Sequence, residues 1–105
     1  MTALFTPATP QQRLYEALGG DCLAVRYGLH SMTFGHGNNP SIKFCLNNGR
    51  GFEITIRDDA KYELTFLRAY APMPTKHEWD TTRLMVCEDA EDVRRTIEQE
   101  MGGCS

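Results

Sequence analysis

The chain has 105 residues, 41% of them hydrophobic and 24% charged, with a formal net charge of −3, the size and make-up of one ordinary folded domain. That mild acidity excludes a general attraction to phosphate backbones, which needs a clustered basic surface. No apolar run reaches the roughly 20 residues of a helical membrane span, and Met1 to Pro7 has neither a basic segment nor an apolar stretch of signal-peptide length, so the expectation is a cytoplasmic chain.

Residues 1–8 read as a loose lead-in. Thr9-Pro10-Gln11-Gln12 is a helix start: Thr9 caps, Pro10 fits the first helical position, and Gln12 completes a capping box. Leu14 and Leu18 share a face, and Gly19-Gly20 ends the helix, which predicts a helix over residues 10–18. From Cys22 the period changes to two. Leu23, Val25, Tyr27 and Leu29 alternate with Cys22, Ala24, Arg26 and Gly28, which predicts a half-buried strand. Ser31 to Phe34 continues it or begins a partner strand, and Gly35 to Pro40 is a loop.

Three further alternating runs follow, at residues 42–46, 52–56 and 62–66, joined by Asn47-Asn48-Gly49-Arg50-Gly51 and Asp58-Asp59-Ala60-Lys61. They predict an antiparallel meander. Ile42, Phe44, Leu46, Phe52, Ile54, Ile56, Tyr62, Leu64 and Phe66 form its apolar face. Lys43, Glu53, Thr55, Arg57, Glu63 and Thr65 form a mixed-charge face open to water. Pro72 and Pro74 break the pattern between Ala71 and Asp80. Leu84 and Val86 mark a short last strand. A helix from about Asp89 to Met101 carries the stripe Ala90, Val93, Ile97 and Met101, and Gly102-Gly103 stops it before the tail at 102–105. The expected fold class is α+β: one domain over residues 1–105, a two-layer sandwich in which an N-terminal and a C-terminal helix pack on one face of a four- to five-stranded antiparallel sheet.

Chemistry-bearing residues are few. Cys22, Cys45, Cys87 and Cys104 contain no C-x-x-C pair, so they read as reduced thiols and mostly small packed hydrophobes. His30, His36 and His77 lack the short, regular spacing of a metal site, and no metal or cofactor is expected. Cys87 precedes the last helix, whose dipole favours a thiolate, but the acids that follow oppose it. The mixed-charge sheet face has no aromatic platform, which disfavours single-stranded nucleic acid.

Two features point instead to a protein partner. Tyr70, Met73, His77 and Trp79 lie among prolines, a composition suited either to anchoring a partner or, for Trp79, to covering the core edge. Residues 88–101 hold six acids, Glu88, Asp89, Glu91, Asp92, Glu98 and Glu100, against Arg94 and Arg95. An acidic helix of this kind suits a partner with a basic surface, including a protein that itself binds nucleic acid.

The Tyr62-Glu63-Leu64-Thr65-Phe66 strand, the stretch after it and the acid-led final helix ending in Met101-Gly102-Gly103 resemble the small accessory proteins of bacteriophages and mobile elements, anti-CRISPR proteins among them. That resemblance implies an inhibitor that occupies a host protein. The expected function is a non-enzymatic protein-binding module with Tyr70, Met73, His77, Trp79, Glu88, Asp89, Glu91 and Asp92 as contact residues. A small enzyme dependent on metal or a Cys/His pair and a structural homo-oligomer, such as a homodimer, are the alternatives.

Overall fold

A computed structural model describes residues 9–35, 37–69 and 79–102. The elements run α1 (Pro10–Leu18), α2 (Gly20–Tyr27), β1 (Leu29–Gly35), β2 (Ser41–Leu46), β3 (Arg50–Ile56), β4 (Tyr62–Ala69), β5 (Trp79–Cys87) and α3 (Ala90–Ile97), followed by a π-helical turn, Glu98–Gly102. The five strands form one sheet in sequence order, every neighbouring pair antiparallel. The fold is therefore α+β, as the periodicities imply.

Helix α1 begins as its sequence dictates. The Thr9 side chain accepts from the Gln12 amide at 3.2 Å, and the Gln12 side chain accepts from the Thr9 amide at 3.0 Å, which closes the capping box. Gly19 ends the helix in the left-handed region (φ 67°). At that point the chain departs from the expected strand. Gly19 also serves as the cap of α2, so residues 20–27 are helical. In a helix Leu23 and Tyr27 fall on one face, and Leu23 is buried. Val25, which alternation places with them, projects into water at 86% exposure, and Cys22 is exposed rather than packed. Asp21 in the first turn and Arg26 in the last complement the helix dipole.

The meander matches the sequence-derived faces. Phe44 pairs with Phe52, which pairs with Phe66, and Ile42 with Ile54, which pairs with Leu64. These six side chains are essentially inaccessible to water. Leu14, Leu18, Leu23, Val93 and Ile97 close over them, so all three helices roof the same sheet face. Phe44 and Phe52 stack with centroids 4.8 Å apart, and Tyr15 lies parallel to Phe44 at 6.3 Å. The last strand is longer than Leu84 and Val86 imply, because it starts at Trp79. The final helix changes to a π-helical turn after Ile97.

The α1–α2 corner is held by Tyr15. Its ring fills the space beside Gly20, where an added Cβ would fall 2.3 Å from the ring. Its hydroxyl donates to Asp21 Oδ1 at 2.7 Å. This hydrogen bond, with smaller contributions from burial and the Asp21 charge, holds the Tyr15 phenol above its ordinary pKa. A group whose pKa is raised on folding stabilises the fold below its unfolded pKa and loses that contribution as pH rises through the folded value. Asp21→Asn is expected to shift one tyrosine transition to lower pH in an ultraviolet difference titration. An unchanged tyrosine titration would remove Asp21 as the cause.

Candidate functional site

With three helices on one side, the surface left for recognition is the other side of the sheet. Residues alternate, so this outer face carries Thr33, Lys43, Cys45, Gly51, Glu53, Thr55, Glu63, Thr65 and Leu67 from β1 to β4. On β5, one irregularity decides which side chains join them. From Cys87 back to Arg83 the strand pairs regularly, with Cys87 opposite Tyr62, Met85 opposite Leu64 and Arg83 opposite Phe66. The register then shifts, so that Leu67 pairs with Thr81 and Ala69 with Trp79. Thr82 is the extra residue, and its hydroxyl lies 3.3 Å from the Phe66 carbonyl as donor. A bulge of one residue reverses the in–out sense of everything beyond it. Unbulged, Trp79 would lie on the helix-covered side with Cys87; the bulge sends it to the outer face.

There the indole packs over Gly51, and an added Cβ at Gly51 would sit 3.4 Å from its ring and 3.6 Å from the Cys45 Cα. The Lys43 ammonium lies 5.4 Å from the ring centroid, a cation–π arrangement. Leu67 and Cys45, on the same face, are buried, so this end of the outer face is a second, smaller apolar cluster. Toward the other end of β5, Leu84 and Val86 stand on the outer face at 54% and 46% exposure. Charge on this face is sparse and mixed: Lys43, Glu53 and Glu63, with Glu53 Oε2 accepting from the Ser41 hydroxyl at 3.3 Å and Glu63 within 3.9 Å of Arg57. The absence of an aromatic from this face, read from the sequence, is thus corrected: Trp79 is on it. Tyr70, Met73 and His77, the other residues of that expected anchor, lie outside the described residues.

The acids of the last helix are placed together but are not free. Glu88 reaches Lys61 at 3.4 Å, Glu91 reaches Arg94 at 2.9 Å, and Asp92 reaches Arg95 at 3.7 Å. Asp89 is the helix cap, its carboxylate accepting from the Asp92 amide at 2.8 Å, and the Asp92 carboxylate in turn accepts from the Glu88 amide at 3.0 Å. Farther along, Glu98 meets Arg26 and Arg94, and Glu100 meets Arg83. The excess of acid along the segment is answered in space by Lys61, Arg26 and Arg83 from three other parts of the fold. Each such surface pair is worth only about 0–1 kcal/mol, but together they leave little unbalanced charge to attract a basic partner.

The remaining candidates disperse. His30 is an exposed residue of edge strand β1, and His36, His77 and Cys104 lie outside the described residues. No group of three or more His, Cys, Asp or Glu among the described residues is placed to hold a metal. Cys87 is buried, and its thiol lies 3.9 Å from the Thr96 hydroxyl. Burial chiefly pushes the Cys87 thiol up; the Thr96 hydrogen bond lowers it in part, and the weaker Asp92 and Asp89 charges add to the rise. The thiolate that a nucleophile requires is disfavoured there. No described helix is long and apolar enough to cross a membrane. No family model, curated protein or solved structure matches the chain.

Proposed function

We propose that the chain is a non-enzymatic protein-binding module whose contact surface is the outer face of the sheet. The observation that carries this reading is the row of Trp79, Leu84 and Val86 along β5, on the face opposite the three described helices. Tryptophan flanked by aliphatic side chains and a few mixed charges is the composition of a protein–protein interface core. Lys43 and Arg57 balanced by Glu53 and Glu63 do not make the basic track that a nucleic acid strand needs. In the form that the sequence resemblance implies, the module inhibits a host protein by occupying its surface, and the acids Glu88, Asp89, Glu91 and Asp92, paired or capping within the chain, add little to the contact.

The test is affinity capture from host lysate with quantitative mass spectrometry, comparing the natural sequence with Trp79→Ala, Thr65→Arg and a variant neutralised at Glu88 and Glu91. Thr65 is central on the outer face and outside the core, so an arginine there obstructs docking while leaving the fold intact. The expected result is a partner whose recovery falls at least tenfold with Trp79→Ala and Thr65→Arg, and much less with the neutralised helix. Partners captured equally by all four proteins would refute the assignment to this face.

A further inference from the structure

The outer face is one surface; the open edge of the sheet is another, and it carries a separate inference. Among the described residues the sheet order leaves two edge strands, β1 and β5. Strand β1 is a poor template for another strand. Its pairing is irregular between Leu29 and Ser31, and its last carbonyl, on Gly35, accepts from Gln11 Nε2 at 3.0 Å. Strand β5 beyond its bulge is different: Arg83 to Cys87 is regular, contains no proline, and carries two half-exposed aliphatic side chains.

We infer that β5 is a self-association edge, joining a second copy of this chain across a two-fold axis at Met85 to make one continuous ten-stranded sheet. A two-fold perpendicular to a sheet requires antiparallel partners on the same face, so the paired residue numbers must sum to an even value. Centred on Met85, this rule sets Leu84 opposite Val86 of the second copy and Val86 opposite its Leu84. The two exposed aliphatic residues of the edge thereby cover each other twice. Their spacing of two makes the edge complementary to itself in this register. Charge agrees with it. Arg83, which meets Glu100 of its own chain at 2.9 Å, falls opposite Cys87 of the second copy, one same-face position from that copy's helix-capping Asp89. The bulge and Trp79 lie at the far end of the strand, outside the paired stretch, so the association leaves Trp79 open on both copies; it shares Leu84 and Val86 with the proposed outer-face contact, and the mass of the chain measured alone tests it separately from partner capture.

Sedimentation equilibrium from micromolar to millimolar concentration tests this. The natural chain is expected to approach twice its 11.9 kDa mass. Leu84→Lys is expected to remain at the mass of one chain with an unchanged circular dichroism spectrum, since this side chain is outside the core. Leu84→Lys combined with Val86→Glu is expected to restore the dimer, because the register sets residue 84 opposite residue 86 and creates two cross-strand ion pairs. As a measurement free of substitutions, the β5 amides of the natural chain should exchange hydrogen more slowly as concentration rises. A natural chain that stays monomeric, or a dimer indifferent to Leu84→Lys, overturns the inference. A double variant that stays monomeric overturns the register.

Discussion

Replacing Phe52 by alanine is expected to lower the free energy of unfolding by about 3–5 kcal/mol, the range for removing a large aromatic side chain from a closed core. Phe52 is on the central strand β3, fully inaccessible, paired with Phe44 on one side and Phe66 on the other, and stacked on Phe44. Its ring belongs to one buried cluster with its strand neighbours and with Leu14, Leu18, Val93 and Ile97 of the helices, so its removal leaves a cavity among packed side chains. Against a typical total of about 5–15 kcal/mol for a domain, such a loss brings the protein to the edge of unfolding. Val25→Ala serves as the control: at 86% exposure it should change stability by less than about 0.5 kcal/mol. Urea denaturation of both variants checks the contrast. Equal effects would mean that Val25 is on the buried face of a strand, as its alternation in the sequence implies.

Gly51→Ala is expected to cost about 1–3 kcal/mol, the range for forcing a methyl group into packed space. The reason is local and steric. An added Cβ would fall 2.6 Å from the Phe44 carbonyl oxygen, a backbone atom that cannot swing aside, with the Trp79 ring at 3.4 Å above. Relief requires β2 and β3 to separate or the indole to lift from the outer face. The second route has a signature of its own, because Trp79 is the single tryptophan in the chain. Its fluorescence should shift to longer wavelength in Gly51→Ala and remain unchanged in Gly37→Ala, where an added methyl meets nothing within 4 Å. An unshifted spectrum with full stability would show that Trp79 does not rest on Gly51.

The parts of the fold legible in the sequence are those where a single local rule decides. The meander was legible because three runs alternate strictly, with aromatic or β-branched residues inward and turn-forming sequences between them. α1 was legible from its capping box. α2 was not, because eight residues with Leu23, Val25 and Tyr27 at odd positions satisfy a period of two as well as a period of 3.6. Its signals were Asp21 and Arg26 at the ends matching the helix dipole, and Gly28 in the left-handed conformation after the last turn (φ 71°). The candidate face was half legible. Its polar half followed from alternation, but the position of Trp79 depends on the extra residue at Thr82, and no local composition marks Thr81-Thr82 as a bulge. Charge along the last helix was legible as sequence but misleading in space, because Lys61 reaches it from a turn, Arg26 from α2 and Arg83 from β5.

The sheet has one face sealed by helices and one outer face, with Trp79 on the latter. Thiol labelling with peptide mapping by mass spectrometry reads it directly, because the chain has placed a cysteine in each setting. Cys22 is exposed on α2, Cys45 is buried on the outer face beside Gly51, and Cys87 is buried beneath α3 with its thiol pushed up by burial. The expected result is fast labelling of Cys22, slow labelling of Cys45 that becomes fast in Trp79→Ala, and protection of Cys87 in both proteins. Labelling of Cys87 in place of Cys45 when Trp79 is removed would put the indole on the helix-covered side and refute this placement.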